Sequence, residues 1–341
     1  MVEIYPLVVA KRSLKRREIK KIDGALSQLS ELFTAAGPFM QQKSDGYQIS
    51  YEFVTQYLKV VKSVLKRNNI DYARSHLYAL GEICTSCHTQ DTTLRTLFKG
   101  TTRKHFDSDY GYAEFNYMTR NYDVAVKYYQ RFLDTPGVKT ELEIIQPLQR
   151  IITVYTQIDD KAADGVAILK KYRTLKDHTP ATQAQLQNWI KGLQQISGSE
   201  VLTKKPITFD RLNHYVAKYL GNPDKISINI QTSADKEVQR VWLRGQLYHF
   251  LNQDQDVSEI PVLLYWLAVL DRSIAYNFYF SMTDLYLKQC VLKYPKQPIA
   301  QRCYQGYKDY MEFTYTRNGE AIPSGIKKEL EEMDSRIPIR F

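Results

Sequence analysis

The sequence predicts an all-α protein, and three observations carry that prediction. Glycine and proline are scarce, at 15 and 12 of 341 residues, which disfavours a turn-rich β architecture. Apolar residues in the first hundred positions recur every three or four residues, the period of one helix face. Tyrosine is frequent, with 26 copies, as in layered helical repeats whose rings pack while their hydroxyls reach a partner. We therefore expect a helical bundle followed by a degenerate helical-repeat solenoid.

Residues 1–104 are predicted to form the bundle. The first apolar stripe ends at the Gly37–Pro38 pair, and Asp71 can cap the helix that carries the third. Three antiparallel helices sharing one apolar seam account for this pattern. The three stripes comprise Ile19, Ile22, Leu26, Leu29 and Phe33; Phe53, Tyr57, Val60 and Val64; and Ala73, Leu77, Leu80, Cys84 and Cys87.

The segment 105–138 resembles one tetratricopeptide repeat, a pair of helices joined by a tight turn. Ala113 stands where that repeat needs a small residue, and Pro136 comes near its end. Phe132 departs from the pattern, because a small residue is usual there. Residues 105–200 are therefore predicted to be tetratricopeptide-like repeats and residues 201–341 a further helical-repeat region. The stretch "ISINI" at 226–230 fits a short strand or a loop equally well.

The chain is basic, with a net charge of +10 and a pI of about 9.1. Such a charge is compatible with nucleic acid, a membrane surface or an acidic protein as partner. No nucleic-acid recognition motif accompanies the charge, so we expect no nucleic acid as partner. A solvated helix face is the simplest interpretation of the main basic cluster, which comprises Lys11, Arg12, Lys15, Arg16, Arg17, Lys20 and Lys21.

The sequence predicts no transmembrane segment. Its longest apolar run, at 260–270, is much shorter than the roughly 20 residues that span a bilayer. The opening "MVEIYPLVVAKR" also lacks the features of a secretory signal. If the protein is exported, we expect its signal peptide to lie outside this numbering.

The most informative motif is "CTSCH" at 84–88. Cys84, Cys87 and His88 occupy positions i, i+3 and i+4 and share one helix face. This spacing is that of c-type haem attachment, in which two thiols bond one porphyrin and the imidazole binds the iron. The alternatives are a structural zinc site, a thioredoxin-like redox pair and buried structural cysteines. Zinc is disfavoured because a second cysteine pair with suitable spacing is missing.

Residues 19–90 resemble a c-type cytochrome with a helical-bundle haem domain, of the cytochrome c-prime group. The motif, here within "ARSHLYALGEICTSCH", lies near the end of the last bundle helix in that group too. This sequence departs from that group in two respects. It has three predicted helices up to the end of the motif in place of four, and the arginine expected shortly after the histidine is absent, the nearest being Arg95. The resemblance implies one covalent haem c, His88 as the proximal iron ligand, and a periplasmic or extracellular location.

The sixth iron ligand is left open by the sequence. Met40, His105 and Met118 are the nearest candidates along the chain, and an apolar five-coordinate face is the alternative. His76 lies on the haem helix itself and is interpreted as a surface or packing histidine. We interpret His178, His214 and His249 as ordinary solvated or packed residues.

Cys290 and Cys303 are predicted to form a disulfide. They flank "VLKYPKQPIAQR", whose two prolines indicate a tight helical hairpin that would place the cysteines opposite each other. Two buried free thiols are the alternative. A bridge would agree with an oxidising compartment. The surrounding sequence is also similar to C-terminal helical hairpins of exported bacterial repeat proteins.

These observations favour an exported monohaem c-type cytochrome that transfers one electron and docks a redox or assembly partner on its helical repeats. A homo-oligomer is compatible with the sequence. An interaction scaffold with a structural haem and a gas-binding haem protein are the alternatives. No enzyme is expected, because hydrolase, transferase and phosphate-binding motifs are missing from the sequence.

Overall fold

The computed structural model describes residues 4–10, 12–41, 45–67, 70–88, 101–158, 161–174, 178–197, 207–229, 234–251, 256, 258–274, 281–316 and 321–338. Within these ranges, the side chains of residues 45–47, 49, 50, 53, 72 and 82–88 lie outside the description. The described residues form fifteen α-helices and contain no β-strand, so the predicted all-α fold is confirmed.

The described residues divide into two compact units, the first within 4–197 and the second within 207–338. The first contains α1 (Tyr5–Val8), α2 (Arg16–Met40), α3 (Asp45–Lys66), α4 (Ile70–His88), α5 (Asp109–Met118), α6 (Tyr122–Asp134), α7 (Glu141–Gln157), α8 (Ala162–Arg173) and α9 (Pro180–Ser197). The second contains α10 (Phe209–Tyr219), α11 (Glu237–Leu251), α12 (Ile260–Ser273), α13 (Thr283–Lys293), α14 (Ala300–Thr316) and α15 (Ser324–Arg336).

In the first unit, α2, α3 and α4 pack in sequence, and α5 to α9 continue as helices that pack on their chain neighbours. The short helix α1 packs against α4 and α5. Ala113 and Ala125 are fully buried between α5 and α6, which allows these two helices to approach closely. The tetratricopeptide-like character of this region and the division at residues 104 and 200 stay predictions.

The bundle differs from the sequence analysis in two places. Helix α2 continues through Gly37 and Pro38 to Met40, so the predicted break at this pair is wrong. Pro38 cannot donate to the Thr34 carbonyl, and α2 ends two residues later, at Met40. In α3 the core face is one residue away from the predicted stripe, because Val61 is buried and Val60 is exposed.

The second unit is built on α12, the most apolar helix of the chain. Its residues are buried on nearly every side, between α11 and α13, which explains why the apolar run at 260–270 lacks a polar face. Residues 226–229, the described part of "ISINI", form a loop that ends in a turn at 228–229, with Ile226 and Ile228 buried. The loop interpretation of this stretch is therefore correct for these four residues.

Cys290 of α13 and Cys303 of α14 form the predicted disulfide. Their sulfur atoms are 2.03 Å apart and their Cα atoms 6.2 Å apart, and both residues are fully buried. The bridge closes the hairpin around Pro295 and Pro298, as the sequence indicated. In the chain-entropy account, a loop of this length stabilises the fold by about 3 kcal/mol.

Candidate functional site

Helix α4 carries the cysteine–histidine motif at its carboxyl end. It begins at Ile70 and ends at His88, so Cys84, Cys87 and His88 belong to one unbroken helical segment. The side chains of these three residues lie outside the described part of the chain. Their backbone positions are nevertheless those that the motif requires, because residues three and four apart are neighbours on a helix surface.

The helix face that leads to the motif is buried, as predicted. Ala73, Leu77 and Leu80 are at most 1% exposed, and α4 packs mainly on α3. Cys84 continues this face one turn further along the same helix. The wall next to the motif is therefore apolar, which suits a porphyrin better than a hydrated ion.

The motif lies at the end of the bundle where α2 ends and α3 begins. Tyr51 near the start of α3 donates its hydroxyl to the Phe33 carbonyl at 2.7 Å, and the two rings stack at 6.0 Å. Tyr57 of α3 contacts His76 of α4 with ring centroids 5.5 Å apart. These pairings are those of antiparallel neighbours, so the end of α4 returns to the level of the α2–α3 connection.

Met118, one of the candidate iron ligands, packs directly against the motif helix. A Cβ atom built on Gly81 would lie 2.1 Å from the Met118 sulfur, so only glycine leaves room for this contact. Gly81 precedes Cys84 by one turn. Helix α5 is therefore held close to α4 immediately before the motif.

We expect Gly81→Ala to lower the free energy of unfolding by about 1–3 kcal/mol, because the new methyl group must displace the Met118 side chain. Gly24→Ala is the matched control, since a Cβ there meets no atom within 4 Å and alanine favours the helix by up to about 1 kcal/mol. Urea unfolding followed by circular dichroism measures both changes. Equal stabilisation by the two substitutions would contradict the close contact.

The other two candidate iron ligands lie in different surroundings. Met40 is the last residue of α2, half-buried, at the end of the bundle that also holds the motif. His105 is exposed, and its Nδ1 lies 3.1 Å from the backbone nitrogen of Thr102. Of the three candidates, Met118 is the one whose side chain the structure shows against the motif helix. The identity of the sixth ligand stays a prediction.

The remaining histidines have ordinary surroundings. His76 is half-buried against Tyr57, and burial lowers the pKa of its imidazole. His178 is buried, with its Nε2 2.6 Å from the Tyr172 carbonyl oxygen. His214 and His249 are exposed. These placements agree with their interpretation as packing or surface residues.

A buried polar cluster next to the motif helix was missed in the sequence. We call Tyr78, Glu114, Tyr129 and Arg150 the Glu114 cluster. Tyr78 and Tyr129 each donate a hydroxyl to the Glu114 carboxylate at 2.5 Å, and Arg150 Nε donates to it at 3.3 Å. The four residues come from α4, α5, α6 and α7, so the cluster joins the motif helix to the helices that follow.

Burial decides the chemistry of this cluster. The side chain of Glu114 is 1% exposed and that of Arg150 is 5% exposed, so this ion pair is removed from water. Burial, followed by the Glu114 charge, raises the pKa of Tyr129 well above its ordinary value, and the phenol stays a hydrogen-bond donor. The sequence contained two signals of this cluster, the glutamate in "AEFNY" and the arginine in "LQRIITV". Each interrupts an otherwise apolar helix face.

Comparisons with known proteins add no family to these observations: no family model, no curated protein and no solved structure matches the chain. Among the described residues, no helix is long and apolar enough to cross a membrane. The same residues contain no cluster of three or more potential metal-ligating histidine, cysteine or acidic side chains. The Cys84, Cys87 and His88 side chains lie outside that search.

Proposed function

We propose that this chain is an exported monohaem c-type cytochrome whose helical repeats dock a partner protein. The observation that carries the proposal is the continuation of α4 through His88, which sets the two cysteines and the histidine of "CTSCH" at helical spacing. A break before residue 84 would have separated these groups. The donor set therefore fits haem c on both its chemistry and its backbone geometry.

Each residue of the motif has a distinct part in the proposal. Cys84 and Cys87 would hold the haem through thioether bonds, and His88 would bind its iron. When bound, haem supplies one-electron chemistry at its iron. Leu77 and Leu80 contribute an apolar wall that limits the access of water near the motif.

The helices beyond the motif support the docking part of the proposal. Helices α5 to α9 pack on their chain neighbours, an arrangement that leaves extended surfaces for protein partners. One groove of about 460 Å³ runs along α6 and reaches the end of α7. Charged side chains of both signs line it, among them Asp123, Lys127, Arg131 and Asp134. Such a polar groove suits a reversible redox or assembly partner.

The disulfide supports the export part of the proposal. Cys290 and Cys303 are joined in the described structure. Structural disulfides persist mainly in oxidising compartments, of which the bacterial periplasm is one. A periplasmic or extracellular location would also provide the setting in which haem is attached to such a motif.

The proposal is tested by intact-mass measurement of the chain exported in a host that expresses the haem-attachment machinery. We expect a mass gain of one haem that survives denaturation, and loss of that gain in Cys84→Ala/Cys87→Ala. The control is Thr85→Ala/Ser86→Ala, which changes the two variable positions of the motif and is expected to keep the haem. A wild-type chain without the gain would refute the proposal.

Spectroscopy of the exported protein separates the three forms of haem function. A six-coordinate haem that cycles reversibly supports electron transfer. A high-spin haem that binds CO would replace this proposal with the gas-binding one. A haem that neither cycles nor binds CO would leave the structural-haem scaffold.

A further inference from the structure

One end of the bundle carries a concentration of exposed cations. We call it the basic end and define it by Arg16, Arg17, Lys20 and Lys21 at the start of α2, with Lys66 and Arg67 at and just after the end of α3. All six side chains are exposed. The four cations of α2 lie on the helix face opposite the buried Ile22 and Leu26, so their side chains point away from the bundle.

The antiparallel packing of α2 and α3 brings the two groups together. The contact between Phe33 and Tyr51 fixes the alignment of these helices. Both helices rise by about 1.5 Å per residue. The start of α2 before Phe33 and the end of α3 after Tyr51 are at similar distances from this contact, so the two ends lie level with each other. The start of α4 lies at the same end of the bundle as the start of α2, because Arg74 Nη1 donates to the Arg12 carbonyl at 3.2 Å.

Pairing within the fold does not account for these charges. Among described residues, none of the six forms an ion pair, whereas neighbouring Arg12 binds Glu18 at 2.7 Å. Four of the six lie in the first two turns of α2. Cations are disfavoured in the first of these turns, where Arg16 and Arg17 lie, because the amino end of a helix carries partial positive charge. A cluster that opposes the helix dipole and lacks partners indicates a use outside the fold.

The charge of the whole chain is concentrated in the same region. Residues 1–104 contain 17 lysines and arginines and 9 acidic residues, a net charge of +8 out of +10 for the chain. The basic end is also remote from the cysteine–histidine motif, because Ile70 and His88 lie at opposite ends of a helix about 27 Å long. The cations therefore form a surface separate from the candidate haem site.

We propose that the basic end binds the surface of an anionic phospholipid membrane. Clusters of four to eight lysines and arginines on an amphipathic helix have the size and form of anionic-lipid sites. The segments "RREIKK" and "VLKR" contain no aromatic residue, whereas surfaces that bind single-stranded nucleic acids stack bases on aromatic rings. Val60, exposed and one helix turn and a half before Lys66, adds an apolar contact of the kind found at membrane interfaces.

This inference goes beyond the proposed haem function and does not require it. A membrane surface would hold the protein at one end of its bundle, with the motif at the other end of α4. The haem test and the lipid test therefore succeed or fail separately.

The experiment is co-sedimentation of the full chain with vesicles of phosphatidylcholine alone and with about one third phosphatidylglycerol. We expect binding only to the anionic vesicles at about 0.1 M salt, and its loss at about 1 M salt because the screening length falls to about 3 Å. The basic-end variant carries Arg17→Gln, Lys21→Gln, Lys66→Gln and Arg67→Gln. Its partition coefficient should fall by about tenfold or more.

The matched control removes the same amount of charge from exposed positions in the second unit. It carries Lys225→Gln, Lys296→Gln, Lys327→Gln and Lys328→Gln, and we expect its partition coefficient to change by less than about twofold. Circular dichroism verifies that both variants keep the helical content of the parent chain.

Three outcomes would overturn the proposal. The first is a parent chain that does not bind anionic vesicles. The second is an equal loss in both variants, which would assign the binding to overall charge. The third is salt-sensitive binding of a DNA duplex, measured by fluorescence anisotropy, that the basic-end variant loses while vesicles remain unbound. That result would make nucleic acid the partner.

Discussion

Glu114→Gln is expected to lower the free energy of unfolding by about 3–5 kcal/mol, among the largest effects of any single substitution in this chain. Both carboxylate oxygens of Glu114 are occupied, by the hydroxyls of Tyr78 and Tyr129. Glutamine retains one acceptor but presents an NH₂ group to the other phenol. It also leaves the Arg150 charge buried without its carboxylate. Urea unfolding followed by circular dichroism measures the loss.

Two further variants test this explanation. Glu31→Gln is the matched control, because Glu31 is exposed on α2 and its charge should matter by less than about 0.5 kcal/mol. Glu114→Gln combined with Arg150→Met should be less damaging than Glu114→Gln alone, since the uncompensated cation is then removed. A loss below about 1 kcal/mol for Glu114→Gln would show that the cluster is not held by an ionised carboxylate.

Asp271→Asn is expected to have an effect of similar size, about 3–5 kcal/mol, in the second unit. Asp271 of α12 accepts from Arg244 Nε of α11 at 2.6 Å and from the backbone nitrogen of Met282 at 2.7 Å. The side chains of Asp271 and Arg244 are both fully buried. Loss of the carboxylate would therefore leave a guanidinium in the core and loosen the start of α13 at the same time. Thermal unfolding of the variant measures the change.

Asp224→Asn provides the control for this second prediction. Asp224 is exposed in the turn after α10, and its change should shift the melting temperature little. Arg244→Met/Asp271→Leu removes both charges and replaces them with apolar side chains. We expect this double variant to be more stable than Asp271→Asn. If it were the less stable of the two, packing rather than charge would explain the position.

The sequence correctly predicted the buried face of a helix where the spacing of its apolar residues allows only one such face. Ala73, Leu77 and Leu80 of α4 are such a case, and all three are buried. In α3 the pairs Val60–Val61 and Val64–Leu65 allow two registers that differ by one residue. Only packing against α2 and α4 selects between them, and it buries Val61 and Leu65. Local sequence contains no signal for that choice.

The candidate site also combines local features that the sequence predicted with tertiary contacts that it did not. The spacing of Cys84, Cys87 and His88 is a local property and was readable before the fold was known. The contact between Gly81 and Met118 joins residues of two helices and depends on tertiary packing. In the Glu114 cluster, Tyr78 and Arg150 each lie 36 residues from Glu114 along the chain. Such pairs leave no periodic pattern in a single sequence.

The packing of helices on their chain neighbours also has a kinetic consequence. In both units most helix contacts join elements that follow one another, such as α5 with α6 and α12 with α13. Contacts between residues close in sequence cost little loop-closure entropy before they form, and proteins rich in them fold quickly. Each helical hairpin can therefore assemble before the next one has left the ribosome, so folding can follow synthesis from the amino terminus onward.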